Sequence, residues 1–358
     1  MPPTSMEFHT LTLGTWKAML KACREAKLSI DIEQYIFQND EIGSKFIEIF
    51  KQKVKSGVKV RMLIDMVGSQ KFYSSGLPEE LRELGVEIRF FNRISPWRIH
   101  NFTSWFFRNH KKTLIIDKTI AFTGGTGVGF HMADWRDTTA RMQGEVTEEV
   151  WSAFQELWWF TEDRRIIPRI RGMRKTKQMR YFITNSPYHR KRFLYYVLME
   201  SLHSAQKSIY LTTPYFIPDR RLRRILRLAA QRGVDVKIIV PKLLDVPIVE
   251  SASHSLFEGL LKNGVKIYKY QPRILHAKTA VVDGEWATFG SFNLDSLSFL
   301  YNFEANVATH EASVVQEINK HFHEDLAQSE EVTLEAWNKR GWTRRFQEIL
   351  TTPFRGFL

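Results

Sequence analysis

Two stretches of the chain share the spacing His-x-Lys-x-x-x-x-Asp: His110, Lys112, Asp117 and His276, Lys278, Asp283. Ordinary composition gives one such match on the order of once per ten thousand start positions. Two matches with matched flanks are another matter: HKKTLIIDKTIAFTGGTG aligns with HAKTAVVDGEWATFGSFN. In a strand, residues i and i+2 share a face, so each copy presents one imidazole and one ammonium to a common surface. Two copies related by a pseudo-twofold would gather two of each around one pocket.

That set suits a phosphodiester. Lysines compensate the charge on the non-bridging oxygens, one histidine attacks phosphorus, and the other protonates the departing alcohol. No metal or cofactor is called for, because cationic side chains fill that role. Asp117 and Asp283, seven residues beyond each histidine, fall on the other strand face or past its end and are expected to hold a turn. Each imidazole needs a partner on its second nitrogen to fix its tautomer. Asp137, 27 residues after His110, and Glu304, 28 residues after His276, are expected as those orienting carboxylates. The corner Gly290, Ser291, Asn293 offers donors to a phosphate. The first copy reads Gly124, Gly125, Thr126, Gly127 there, so the copies are not interchangeable. His321 and His323 do not share a helix face and are not expected to hold a metal.

The duplication reaches well beyond the motifs. Ser56–Asp65 (SGVKVRMLID) matches Arg232–Val240 (RGVDVKIIV), and Leu84–Phe90 (LGVEIRF) matches Asn263–Lys269 (NGVKIYK). The chain is two copies of one unit of about 150 residues. The pattern predicts helices over 15–25, 41–55 and 221–232, and strands over 27–37, 58–65, 208–213 and 236–240. Strand, helix, strand with glycine at the helix end is a right-handed crossover. The expected fold is α/β: two tandem units with mixed, largely parallel sheets, related by a pseudo-twofold, with the active site at their junction. The expected organisation is 1–163, a basic linker at 164–180, 181–330, and a helical tail at 331–358.

With 358 residues, 43% hydrophobic and 25% charged, the chain is an ordinary globular protein, and its net charge of +13 asks for an anionic partner. A lipid surface or nucleic acid would serve. The basic stretch from Arg164 to Arg180 reads either as a solvated linker or as a contact with anionic headgroups. The aromatic insertion from Arg93 to Phe107 and the tail from Leu334 to Leu358 read as packing or as interfacial segments. The longest stretch without Asp, Glu, Lys or Arg, Thr119 to Ala133, is too short and glycine-rich to span a bilayer. One cysteine, Cys23, fits a reducing compartment. The expectation is a cytoplasmic protein, peripheral on the inner face of the cell membrane.

The segments SIDIEQYIF, GVKVRMLIDMVGS, RNHKKTLIID, FTGG, WRD, TTPYFIPD, HAKTAVVD, GSFNLDS and NFEANV resemble the phospholipase D superfamily and, within it, the bacterial cardiolipin synthases. The resemblance covers nearly the whole chain. It implies two phospholipase D-like units and metal-independent phosphatidyl transfer through a phosphohistidine. It also implies phosphatidylglycerol and cardiolipin as substrate and product. His110 would be the nucleophile and His276 the general acid and then base, with Lys112, Lys278 and Asn293 holding the phosphate. Two positions depart from the pattern: Gly127 stands where family members usually carry Asn, and Leu297 where Arg is common. Rival readings are headgroup hydrolysis, a nuclease, which is the less expected partner class, and a non-catalytic protein that binds anionic lipid. The sequence does not address oligomeric state.

Overall fold

The computed structural model describes residues 5–92, 106–162, 180–187, 192–244, 246–342 and 350–351. Most of the insertion, the linker up to residue 179 and most of the extreme tail therefore lie outside the described residues.

The N-terminal half runs β1 (Ser5–Leu11), α1 (Thr12–Glu25), β2 (Ser29–Gln34), α2 (Glu41–Lys55), β3 (Lys59–Asp65), α3 (Gln70–Tyr73), α4 (Leu77–Glu83) and β4 (Glu87–Phe91). It continues through β5 (Arg108–Asn109), β6 (Thr113–Ile116), β7 (Ile120–Gly124), β8 (Arg136–Gln143) and α5 (Glu145–Glu162). The C-terminal half runs β9 (Arg180–Asn185), α6 (Phe193–Ser204), β10 (Ser208–Thr212), α7 (Arg220–Gln231), β11 (Asp235–Pro241), α8 (Pro247–Leu261) and β12 (Lys266–Tyr270). Then come β13 (Thr279–Val282), β14 (Trp286–Gly290), α9 (Ser296–Leu300), β15 (Asn302–Thr309), α10 (Ala312–Ala327), β16 (Ser329–Glu331) and α11 (Leu334–Asn338).

The duplicated punctuation explains the duplicated elements. Asp40 and Asp219 cap α2 and α7, accepting from the backbone N–H groups of Ile42 and Gly43 and of Leu222. Gly57 and Gly233, at φ +83° and +92°, follow those helices in the left-handed conformation that glycine adopts without a Cβ penalty. α1 begins at Thr12, ahead of the expected residue 15.

Two mixed sheets result. One has the order β1-β8-β7-β6-β2-β3-β4; the other has β16-β12-β11-β10-β13-β14-β15-β5, with β9 also paired to β15. The parallel share is smaller than crossover units suggest. It is confined to β2-β3-β4, β10-β11-β12 and the short β5–β15 contact. Each motif strand instead runs antiparallel to its neighbours and turns directly into a hairpin, β6–β7 or β13–β14. Two outer cores lie under the helices of each half, and a third cluster is shared, with Leu63, Ile115 and Phe154 packed with Phe289, Phe303 and Val307. Among the described residues no helix is long and apolar enough to cross a membrane.

Candidate active site

The two histidines are set by the opposite half. The N–H of His110 donates to the carbonyl of Phe303 at 3.0 Å, and that of His276 to the carbonyl of Arg136 at 2.7 Å. The next residue in each case supplies a carboxylate. His110 Nδ1 lies 2.9 Å from Glu304 Oε1, and His276 Nδ1 lies 2.7 Å from Asp137 Oδ2. The two carboxylates picked out by spacing are both present, but they pair across the halves and not within them. Inside one sheet β7 separates β6 from β8, which puts about two strand spacings, roughly 10 Å, between motif and carboxylate strands. Across the junction β5 pairs directly with β15, and Arg136 bridges to Leu275.

Lys112 Nζ and Lys278 Nζ turn back to the carbonyls of His110 and His276, at 2.8 and 2.6 Å. All four side chains are buried. Burial, then the charge of Lys278, pulls the Lys112 ammonium down to about 7. Burial also lowers His110, with Glu304 opposing and Lys112 and Lys278 adding. His276 falls to about 4 through burial and the nearby Lys278, and Lys112 contributes as well. The charge of each lysine thus acts on the other half's histidine, which puts the four side chains around one pocket. Rings wall it: Tyr35 stands 5.1 Å from the His110 ring and Trp135 5.0 Å from that of His276. Spacing could not reveal these two, although both lie in the segments that carry the family resemblance.

Around Glu304 the corner is richly polar. Its carboxylate accepts from Ser291 Oγ at 2.5 Å and Ser298 Oγ at 2.7 Å. Against full burial, which raises it, His110 and then Lys112 and the Ser291 hydroxyl hold it below the ordinary carboxylate range. Ser298 also accepts from the Asn293 N–H at 3.3 Å, while the buried Asn293 Oδ1 has no partner. Motif spacing carries no signal for Ser298. Burial pushes its neighbour Asp295, the cap of α9, up to about 7.

The first copy has no room for the same serine. A Cβ on Gly125, where the second copy has Ser291, would stand 2.3 Å from Asp137 Oδ1. One on Gly127, where the second has Asn293, would meet Met132 Cε at 2.9 Å and Ile36 Cβ at 3.4 Å. The flexible end of Met132 can yield, so the departure at Gly127 has no steric explanation in the structure. Leu297 sits half-buried on α9.

The first copy instead has buried charge behind its histidine. Glu33 accepts from Asn109 Nδ2 at 2.9 Å and Thr113 Oγ1 at 3.1 Å and pairs with Lys111 Nζ at 2.8 Å. Asp65, raised to about 6 by burial, accepts from the Asn109 N–H and pairs with Arg108. The second copy carries Ala277 in place of Lys111 and Thr212 in place of Glu33.

Asp117 and Asp283 stand apart from the pocket. Each accepts three backbone N–H groups, from Lys27, Leu28 and Ser29 or from Gln206, Lys207 and Ser208. Both adopt positive φ, +52° and +55°, at the hairpin turn, where a short polar side chain is tolerated. They hold turns, as strand geometry leads one to expect, and do not join the pocket.

A family profile described as "Cardiolipin synthase, PLD-like domain" matches residues 19–158 and 198–326. Among curated relatives, a protein named "Probable cardiolipin synthase YwiE" from Bacillus subtilis (strain 168) is 33% identical over 96% of this chain and 70% of its own length. "Cardiolipin synthase 2" from Bacillus anthracis is 34% identical over 96% of this chain and 69% of its own. The fold is shared with phosphatidylserine synthase from Haemophilus influenzae Rd KW20, at a TM-score of 0.76 and 13% identity, covering 98% of this chain and 92% of that one. Polyphosphate kinase from Porphyromonas gingivalis aligns at a TM-score of 0.64 and 12% identity over 99% of this chain and 53% of that one. The duplicated motifs, the profile and the relatives matched over 96% of this chain agree: the chain belongs to the phospholipase D-like cardiolipin synthase family.

Proposed function

We propose that the protein is a phosphatidyltransferase that joins two phosphatidylglycerol molecules into cardiolipin and releases glycerol. The observation that carries this reading is the crossed pairing, in which each buried imidazole is held at Nδ1 by a carboxylate of the other half and the charge of each motif lysine acts on the other half's histidine. His110 Nε2 attacks phosphorus, the bond from phosphorus to the headgroup oxygen breaks, and His276 gives that oxygen its proton. The phosphatidyl group then rests on His110. His276 takes the proton from the hydroxyl of the second phosphatidylglycerol, whose oxygen attacks phosphorus as the P–N bond breaks. Lys112, Lys278 and Asn293 hold the non-bridging oxygens. Burial and then the charge of Lys278 hold His276 below the ordinary imidazole range. The negative charge of a bound phosphodiester offsets both lysines and raises its affinity for the proton it must donate.

One phosphodiester replaces another with little driving force, so exclusion of water decides transfer against hydrolysis. Burial of the histidines and the Tyr35 and Trp135 walls support exclusion. The reading places the pocket between units 1–163 and 181–330 and the protein at the anionic inner face of the cell membrane, as a peripheral enzyme. The test is incubation with labelled phosphatidylglycerol vesicles followed by thin-layer separation. Cardiolipin and glycerol in equal amounts are expected. Phosphatidic acid alone would make the enzyme a hydrolase, and products from single-stranded DNA but none from lipid would overturn the lipid reading.

A further inference from the structure

Six of the large apolar side chains left in solvent lie at one end of the sheets. Leu11, Leu13 and Phe130 in the N-terminal half and Leu243, Val246 and Ile248 in the C-terminal half are 36–61% exposed. Leu11 pairs with Arg136, the residue before Asp137. Phe130 donates its N–H to Asp40, which caps α2 beyond the end of β2. Leu243 to Ile248 follow β11, which runs parallel to β10; the last residue of β10, Thr212, pairs with Thr279 just past Lys278. All six therefore lie at the end of the molecule that bears the pocket. Exposed Arg220 and Arg221, which open α7, and Lys242, which follows β11, lie at that same end.

Single exposed apolar residues are ordinary, but a set contributed by both halves to the end that bears the pocket marks an interaction surface. Its occupant follows from the pocket, on the lipid reading above. The phosphorus of a phospholipid lies at headgroup level in a bilayer, so this end must face the bilayer for the histidines to reach it. We propose that this end is the docking face for an anionic phospholipid bilayer. The six apolar side chains enter the boundary between headgroups and acyl chains, and Arg220, Arg221 and Lys242 meet lipid phosphates.

The test is co-sedimentation of the full chain with phosphatidylglycerol vesicles, comparing wild type, the Leu11→Ser/Leu13→Ser/Leu243→Ser/Ile248→Ser variant and Leu28→Ser. Leu28 is 71% exposed at the opposite end, beside the turn held by Asp117. Serine leaves net charge unchanged, so only apolar contact is removed. The quadruple variant is expected to lose about tenfold or more in vesicle partition, and Leu28→Ser to bind as wild type does. Equal binding by the quadruple variant, or an equal loss in Leu28→Ser, overturns the proposal. An environment-sensitive fluorophore on Ile248→Cys or Leu28→Cys gives an answer independent of the quadruple variant's folding, because Cys23 is buried. A blue shift with vesicles is expected at residue 248 alone, and a shift at residue 28 alone contradicts the orientation. Wild-type turnover of phosphatidylglycerol in detergent micelles separates the two readings. Cardiolipin formed there alongside undiminished vesicle binding by the quadruple variant refutes the face alone, whereas no lipid product refutes the lipid chemistry itself.

Discussion

The two copies of the motif have the same backbone and different surroundings. His110 leans on a carboxylate held by two serine hydroxyls, and the strand behind it is pinned by the buried charges of Glu33, Lys111, Asp65 and Arg108. His276 leans on Asp137, whose carboxylate also accepts from the Thr138 N–H, and Ala277 replaces the buried lysine. Duplication delivers two equivalent imidazoles, and divergence gives one of them the more rigid seat. A covalent nucleophile has to keep a fixed line of attack, whereas a proton carrier serves two oxygens in turn, which matches the proposed roles.

The largest test of this asymmetry is removal of each imidazole. His110→Ala should abolish the covalent intermediate and lower transfer by about 10⁴-fold or more, as followed with labelled phosphatidylglycerol. The buried charge comes next. Lys111→Ala leaves Glu33 without its cation and should destabilise the fold by about 3–5 kcal/mol, whereas Ala277→Gly at the matching position should cost about 1 kcal/mol; denaturant unfolding compares them. Equal losses would remove the distinction between the halves.

Among the orienting acids, Glu304→Gln should slow formation of the intermediate about 100-fold and more than Asp137→Asn does, as measured in single-turnover reactions. The pH profile is a finer test. Lys112 is depressed to about 7, so it is charged below that pH and neutral above it, and kcat/KM should fall as pH rises through 7. Lys112→Arg, which stays charged, should lose that limb even where its overall rate is lower. The smallest effect belongs to the turns: Asp117→Asn and Asp283→Asn should each cost about 1–2 kcal/mol of stability, alike in both halves.

Much of this was legible in the sequence because duplication writes it twice. The motifs, the glycines after α2 and α7, and the acids at 137 and 304 all follow from spacing and pattern. The crossing of those acids was not legible, since spacing along a chain says nothing of which sheet edge meets which. Nor was the charge behind His110. Asp31 and Glu33 alternate with isoleucines as though facing water, yet α5 covers that face and Arg61 bridges Asp31 to Gln155. The excess of antiparallel pairing has a similar origin: the crossover pattern marks two parallel strands per half, and the hairpins that carry the motifs add the antiparallel pairs.

The central claim is that two imidazoles from different halves act on one phosphorus, with His110 as the seat of the covalent group. Acid quench during turnover, followed by mapping of the phosphorylated peptide, tests it most directly. The adduct is expected on His110, lost in His110→Ala. An adduct that survives in His110→Ala and disappears in His276→Ala would contradict the assignment.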